Sequence, residues 1–177
     1  MKALKLPVIS GKDSLSSTYR GKNGLIVKIP PVLCISVFGR IPDTTKTITA
    51  DLKKPDSRLY AIGNLDIDAM GGSAYYDIHG ILGNTIPKIN LKKLSKTLDA
   101  LYRGISQGNI LSCHDVSEGG LITSLFEMCV GGDMGATLNV NASRIDNFLF
   151  NETAGCFVVE IENKKIAKKL FIRLVSL

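Results

Sequence analysis

SCHDVSEGGLITSLFEM, residues 112–128, holds four polar side chains and two glycines in the eight positions from His114 to Leu121, with apolar runs on both sides. Such an order predicts a short strand, a polar loop, and a helix from Gly120 to about Val130. A helix N-terminus carries unpaired N–H groups and partial positive charge, so a loop at its mouth attracts phosphate. Gly119 and Gly120 remove side chains where backbone has to approach a ligand closely. Ser117 offers a hydroxyl to phosphate oxygens, and Asp115 offers a hard carboxylate oxygen suited to Mg²⁺. Glu118 either joins the metal shell or favours the helix start. The plainer alternative makes Ser117 or Asp115 an N-cap and leaves Glu118 to answer the helix dipole.

Working outward, NILSC (109–113) reads as the strand that enters this loop. Before it, LKKLSKTLDALYRGISQG (91–108) is the clearest helix. Leu91, Leu94, Leu98, Leu101 and Ile105 step by three and four into one stripe, Asn90 can cap the start and Gly108 can end it. RLYAIG (58–63) and CFVVEI (156–161) read as strands, and so does GATLNVN (135–141). MGGSAYYDIHG (70–80) looks helical with Gly80 near its end, and NKKIAKKLFIRLV (163–175) is a last helix, with no closing strand after it. Farther back, LIVKIPPVLCISVFGRI (25–41) is extended and β-branched, broken at Pro30-Pro31. YRGKNG (19–24) is a turn and the best candidate boundary. Mixed strands and helices make the fold class α+β.

A second polar loop lies at PVISGKDSLSSTY (7–19). It fails as a Walker-type phosphate loop, because Leu6 stands where glycine is required and Asp13 where Ser or Thr is required. What remains is a strand end that delivers Gly11, Lys12, Asp13, Ser14 and Ser16 into one loop. There Lys12 can neutralise phosphate and the hydroxyls can position it; an ordinary polar turn is the alternative.

The 177 residues are 45% hydrophobic and 21% charged, which excludes a disordered chain and fits one sizeable domain, alone or with a fragment of another. No apolar run reaches the length of a membrane helix and the start is too short for a signal peptide, so a cytoplasmic protein without a membrane partner is expected. Net charge is +6, but aromatics are only 6% and do not interleave with the lysines, so a phosphorylated small molecule fits better than nucleic acid. Lys92, Lys93 and Lys96, and Lys164, Lys165, Lys168 and Lys169, read as the wet faces of helices. Cys34, Cys113, Cys129 and Cys156 form no C-x-x-C pair and mostly sit in apolar runs, which predicts buried reduced thiols. Cys113 and His114 are neighbours on an extended segment and point to opposite faces, which argues against a nucleophile–base dyad. His114 either hydrogen-bonds near a nucleotide or packs at the strand end. Glu152 in FNET either approaches the same pocket or sits on a surface turn.

Taken in order, PVISGKDSLSSTYRG, PPVLCISVFGRIPD, MGGSAYY, HDVSEGGL and LFNETAGCFVVEI resemble the phosphoribosylformylglycinamidine synthase family over nearly the whole chain. SGKDSLS is rather specific to that family. HDVSEGGL is shared across the aminoimidazole ribonucleotide synthetase superfamily, which includes selenophosphate synthetase and thiamine-monophosphate kinase. The resemblance implies that residues 1–22 end an N-terminal synthetase-like domain and 23–177 form the C-terminal α+β domain of the second of two related halves. It implies a purine-pathway ligase that uses ATP, Mg²⁺ and ammonia from glutamine, with the N-terminal half and a glutaminase domain or subunit as partners. The isolated piece is then expected to be inactive, with no catalytic residue of its own. Residue by residue, it implies Asp115 as a Mg²⁺ ligand, Ser117 as a nucleotide contact, and Gly11 and Ser14 at nucleotide or substrate contacts. Lys12 departs from the smaller, unfused forms, which carry a metal-binding Asn there. A charged lysine cannot ligate Mg²⁺. This points to an auxiliary ATP/ADP site, and leaves a structural nucleotide-binding half-module, or a fragment of another superfamily member, as alternatives.

Overall fold

The computed structural model describes residues 2–14, 16–162 and 175–176. By contact density the chain divides into two compact units, residues 1–42 and 43–177.

In the first unit, β1 (Thr18–Arg20) and β2 (Ile26–Lys28) pair antiparallel around the YRGKNG turn, where Asn23 and Gly24 both take positive φ. The hairpin therefore straddles the 22/23 boundary expected from sequence. β2 meets the extended expectation at the start of residues 25–41; beyond it, and at residues 7–10, no strand forms. Residues 6–14 and 29–41 carry no regular secondary structure, and Val8, Ile9, Leu33 and Phe38 are exposed. β-branched residues favour extended backbone, but a strand also needs a neighbour to receive its N–H and C=O groups.

The second unit is built on an antiparallel sheet of order β4-β5-β3-β6, from β3 (Arg58–Ile62), β4 (Ser112–Asp115), β5 (Phe157–Ile161) and β6 (Val175–Ser176). β6 is a two-residue strand that the sequence does not announce. The register sets Ala61 opposite Val158 and Tyr60 opposite Val159. Because side chains alternate, Leu59, Ala61 and Val158 meet α3 (Gly120–Gly132) and α4 (Ile145–Phe150) on one face. Tyr60, Ile62, Val159 and Ile161 meet α2 (Leu91–Ser106) on the other. Both faces are covered, which is why β3 and β5 read as apolar runs. The α+β class is met.

α2 begins and ends where the pattern places it. Asn90 Oδ1 accepts the Lys93 N–H at 3.1 Å, and Gly108 takes φ +68°. Its buried stripe is narrower than expected: Ala100, Leu101 and Gly104 are buried, whereas Leu91 and Leu98 stay 46% and 40% exposed. Lys92, Lys93 and Lys96 lie on its wet face. α1 is short, Ala74–Ile78, with Ser73 Oγ accepting the Tyr76 N–H. β4 starts later than NILSC suggests and runs to Asp115. GATLNVN is not a strand; Leu138, Val140 and Ala142 instead pack as irregular chain against the α3 face. The lysine-rich helix expected at 163–175 falls largely on residues outside those described. Among the described residues, no helix is long and apolar enough to cross a membrane.

One buried carboxylate ties the sheet to the loop before it. Glu160 is fully buried and accepts hydrogen bonds from the Lys53 and Lys54 N–H groups and from the Ser57 and Ser112 hydroxyls, at 2.7–2.9 Å. A buried charge persists only when its lone pairs are satisfied in this way.

Candidate functional site

β4 delivers Asp115 to the sheet end, and the chain then turns through Val116–Gly119 into α3. Val116 is buried against the core and its N–H donates to Cys156 O at 2.8 Å. That anchor leaves Asp115, Ser117 and Glu118 projecting outward, all exposed. They line a cavity of about 850 Å³ together with Gly72, Ser73 and Ala74 at the start of α1, and with Glu152. The charged side chains lining it, Asp77, Asp115, Glu118 and Glu152, are all acids. Ile81 and Leu82 add an apolar lip to it.

Neither capping alternative holds. The N-cap of α3 is Gly119, in the left-handed region at φ +80°, and no side chain caps the helix. The Asp115 carboxylate is instead 64% exposed, its Oδ1 3.4 Å from His114 Nδ1, too long for a strong hydrogen bond. Its oxygens remain available to a ligand.

The Gly-Gly step has a different cause from the one the sequence suggests. The Gly119 N–H donates to Glu152 Oε1 at 2.9 Å, and the Gly120 N–H to Ser117 O at 3.1 Å, so neither is a free donor for phosphate. A Cβ on Gly120 would stand 2.5 Å from the carbonyl carbon of Phe150, and the residue holds φ +75°. The close approach that demands glycine is therefore to α4.

Glu152 belongs to the cavity, which removes the surface-turn alternative. Its Oε1 also accepts the Ala74 N–H at 2.8 Å. The sequence hint was the polar Asn-Glu-Thr triplet set between the apolar runs FLF and GCFVV; nothing local says that it reaches two other loops.

His114 takes the packed alternative. The ring is 19% exposed, with Nδ1 2.7 Å from Asp115 O and Nε2 3.0 Å from Glu127 Oε2 on α3. Cys113 faces α2 on the other side of the sheet, so the two side chains form no dyad. Burial, with a smaller push from Asp115, raises the Cys113 thiol to about 12, and burial raises Cys156 to about 11. Of the four reduced cysteines only Cys156 is buried outright; Cys34 is exposed, contrary to expectation.

Gly11, Lys12 and Ser14 lie in the first unit, all exposed. Lys12 Nζ donates to Asp13 O at 2.6 Å and lies 3.3 Å from Ser14 Oγ, so that loop is closed on itself by its own lysine.

Residues 54–173, which include β3, β4, β5 and the cavity walls, match the model of the AIR synthase related protein, C-terminal domain, and the chain belongs to that family. Among curated proteins it is similar to the phosphoribosylformylglycinamidine synthase subunit PurL of Prochlorococcus marinus, 31% identical over 99% of this chain and 23% of the relative. It is also similar to the phosphoribosylformylglycinamidine synthase of Homo sapiens, 35% identical over 96% of this chain and 13% of that protein. The chain thus spans less than a quarter of the length of these relatives. Among solved structures, Thermotoga maritima PurL complexed with FGAR matches with a TM-score of 0.53 at 13% identity, over 72% of this chain and 23% of that one. The same protein complexed with ADP matches with a TM-score of 0.50 at 13% identity, over 72% of this chain and 20% of that one. These likenesses show a shared fold.

Proposed function

We propose that the chain is the C-terminal part of the synthetase region of a phosphoribosylformylglycinamidine synthase, and that its cavity contributes contacts to a magnesium–nucleotide complex. The parent reaction converts formylglycinamide ribonucleotide, ATP and glutamine to the amidine, ADP, phosphate and glutamate. The names of the relatives and the FGAR and ADP complexes of the PurL neighbour support this reading.

The observation that carries it is the exposed Asp115 carboxylate in a cavity whose charged lining is wholly acidic. Four acids repel a bare polyphosphate, so a nucleotide enters only with its cations. Mg²⁺ suits this donor set, because it binds through one or two carboxylates plus substrate phosphates and keeps several waters. When bound, the ion neutralises charge on the phosphoryl group. Asp115 would hold it, Ser117 would donate its hydroxyl to a phosphate oxygen, and Gly119 and Gly120 would shape the loop rather than donate. For the first unit taken by itself, the sequence likeness implies Gly11, Lys12 and Ser14 as phosphate contacts.

The chain by itself has no turnover in this reading. Incubated with formylglycinamide ribonucleotide, ATP and ammonia, the purified 177-residue chain is expected to yield no amidine; product from it would overturn the assignment. A second reading, a nucleotide kept as a fixed structural cofactor, is favoured by Lys12, which stands where the sequence likeness implies a metal-binding Asn in the unfused forms. ADP that survives purification of the natural gene product and is never exchanged for labelled ATP during turnover would select it.

A further inference from the structure

Glu152 places one carboxylate oxygen between two backbone N–H groups that belong to different walls of the cavity. Ala74 is the first residue of α1, and Gly119 is the N-cap of α3; both donate to the same Oε1, at 2.8 and 2.9 Å. Glu152 is itself held from both sides. Asn151 is fully buried and its Nδ2 donates to Asp66 O at 2.9 Å and Ala69 O at 3.0 Å. Thr153, 1% exposed, accepts the Asp66 N–H at 3.0 Å and donates to Asn151 Oδ1. The brace therefore stands on a rigid base, and the two loops it grips carry Ser73 on one side and Ser117 and Asp115 on the other.

We infer that Glu152 is a positioning residue: it sets the separation of the α1 and α3 loops, and through it the distance from Asp115 and Ser117 to the opposite wall of the nucleotide cleft. This rests on the nucleotide reading above. Glu152 occupies the two amides itself, so they are unavailable to phosphate, and the ligand is held through Asp115 and the ion rather than through the helix starts.

Three substitutions in the natural gene product test it. Glu152→Ala removes the acceptor. Glu152→Gln keeps an acceptor oxygen at the same reach while removing the charge. Ala74→Pro deletes one donor and leaves the carboxylate intact; proline is tolerated at a first helical position, and Ser73 already has the extended backbone (φ −73°, ψ 151°) that a following proline requires. The readouts are MgADP affinity by calorimetry, amide hydrogen exchange at Ala74 and Gly119, and melting temperature. Glu152→Ala is expected to weaken MgADP about tenfold or more and to speed exchange at both amides about a hundredfold. Ala74→Pro is expected to weaken binding about threefold or more with melting retained, and Glu152→Gln, which loses one cavity charge but keeps the shared acceptor, to weaken binding clearly less than Glu152→Ala and to leave exchange at both amides within about tenfold of the parent.

Binding unchanged in Glu152→Ala or Ala74→Pro would reduce Glu152 to a stabilising contact and overturn the inference. Glu152→Gln as weak as Glu152→Ala would also overturn it, because charge and not the shared acceptor would then be what matters. If Glu152→Ala fails to fold, the other two variants decide. A parent protein that binds no MgADP would sink the nucleotide reading itself, whereas a failure of the brace shows as good binding that these substitutions leave intact.

Discussion

Residues 29–41 (IPPVLCISVFGRI) and 156–161 (CFVVEI) are alike in composition and opposite in outcome. In the first stretch Val32, Leu33, Val37 and Phe38 are 68–84% exposed and no strand forms; in the second, Val158, Val159 and Ile161 are fully buried at the centre of a sheet. The difference lies in what surrounds each. β5 has β3 and β4 on its two edges and helices over both faces, so its backbone pairs on both sides and its apolar side chains pack into the two core clusters. Residues 29–41 carry two prolines that donate nothing, and no strand among the described residues pairs with them. Apolar, β-branched sequence states a capacity to pair; neighbours realise it.

The largest effect that sharpens this contrast is at Glu160. Glu160→Ala removes a fully buried acceptor shared by two N–H groups and two hydroxyls, strands the buried Ser112 hydroxyl, and is expected to cost about 3 kcal/mol in urea unfolding. Phe38→Ser, in the exposed stretch, is expected to change stability by about 0.5 kcal/mol or less. A comparable loss at both positions would break the comparison.

Glycines give the next step down. Gly120→Ala sets a methyl 2.5 Å from backbone at a positive φ and is expected to cost about 2–3 kcal/mol. Gly11→Ala, with nothing within 4 Å of the new Cβ, is expected to fall within about 0.5 kcal/mol of the parent in the same melt.

The smallest effect is read by thiol chemistry. With their thiols pushed to about 12 and about 11, Cys113 and Cys156 hold only about one part in ten thousand and one in a thousand as thiolate at pH 8. Exposed Cys34 is expected to label first with an alkylating reagent, and the other two only on unfolding. The same thiols set a direction with pH. Their folded values lie above the unfolded 9.0, so their contribution to stability is complete below pH 9 and is lost as pH rises toward 12. Melting temperatures that rise over that window in the native chain but not in a Cys113→Ser, Cys156→Ser chain would contradict the sign.

What could be read in advance follows the same divide. α2 was legible because its cap, its stripe and its terminating glycine are all local in sequence. β3, β5 and the strand–loop–helix around Asp115 were legible because apolar runs met polar punctuation. GATLNVN misled, because alternation records which side chains are buried and not whether a neighbouring strand exists. Asp115, Ser117 and Glu118 were found as a group, since one loop carries them. The contacts of Glu152 are hidden in the sequence, because its two partners lie in loops that only the folded chain brings together, and so is the cause of the Gly-Gly step, because α4 approaches it from outside the local sequence.

In the proposed function, Asp115 would hold the cation that lets a nucleotide into an acid-lined cleft. Calorimetric titration of the natural gene product with ADP, with Mg²⁺ and then with excess chelator, before and after Asp115→Ala, tests it directly. Magnesium-dependent binding is expected, abolished by chelator and weakened about tenfold or more by Asp115→Ala. ADP bound equally well without magnesium, or undiminished by Asp115→Ala, would contradict it.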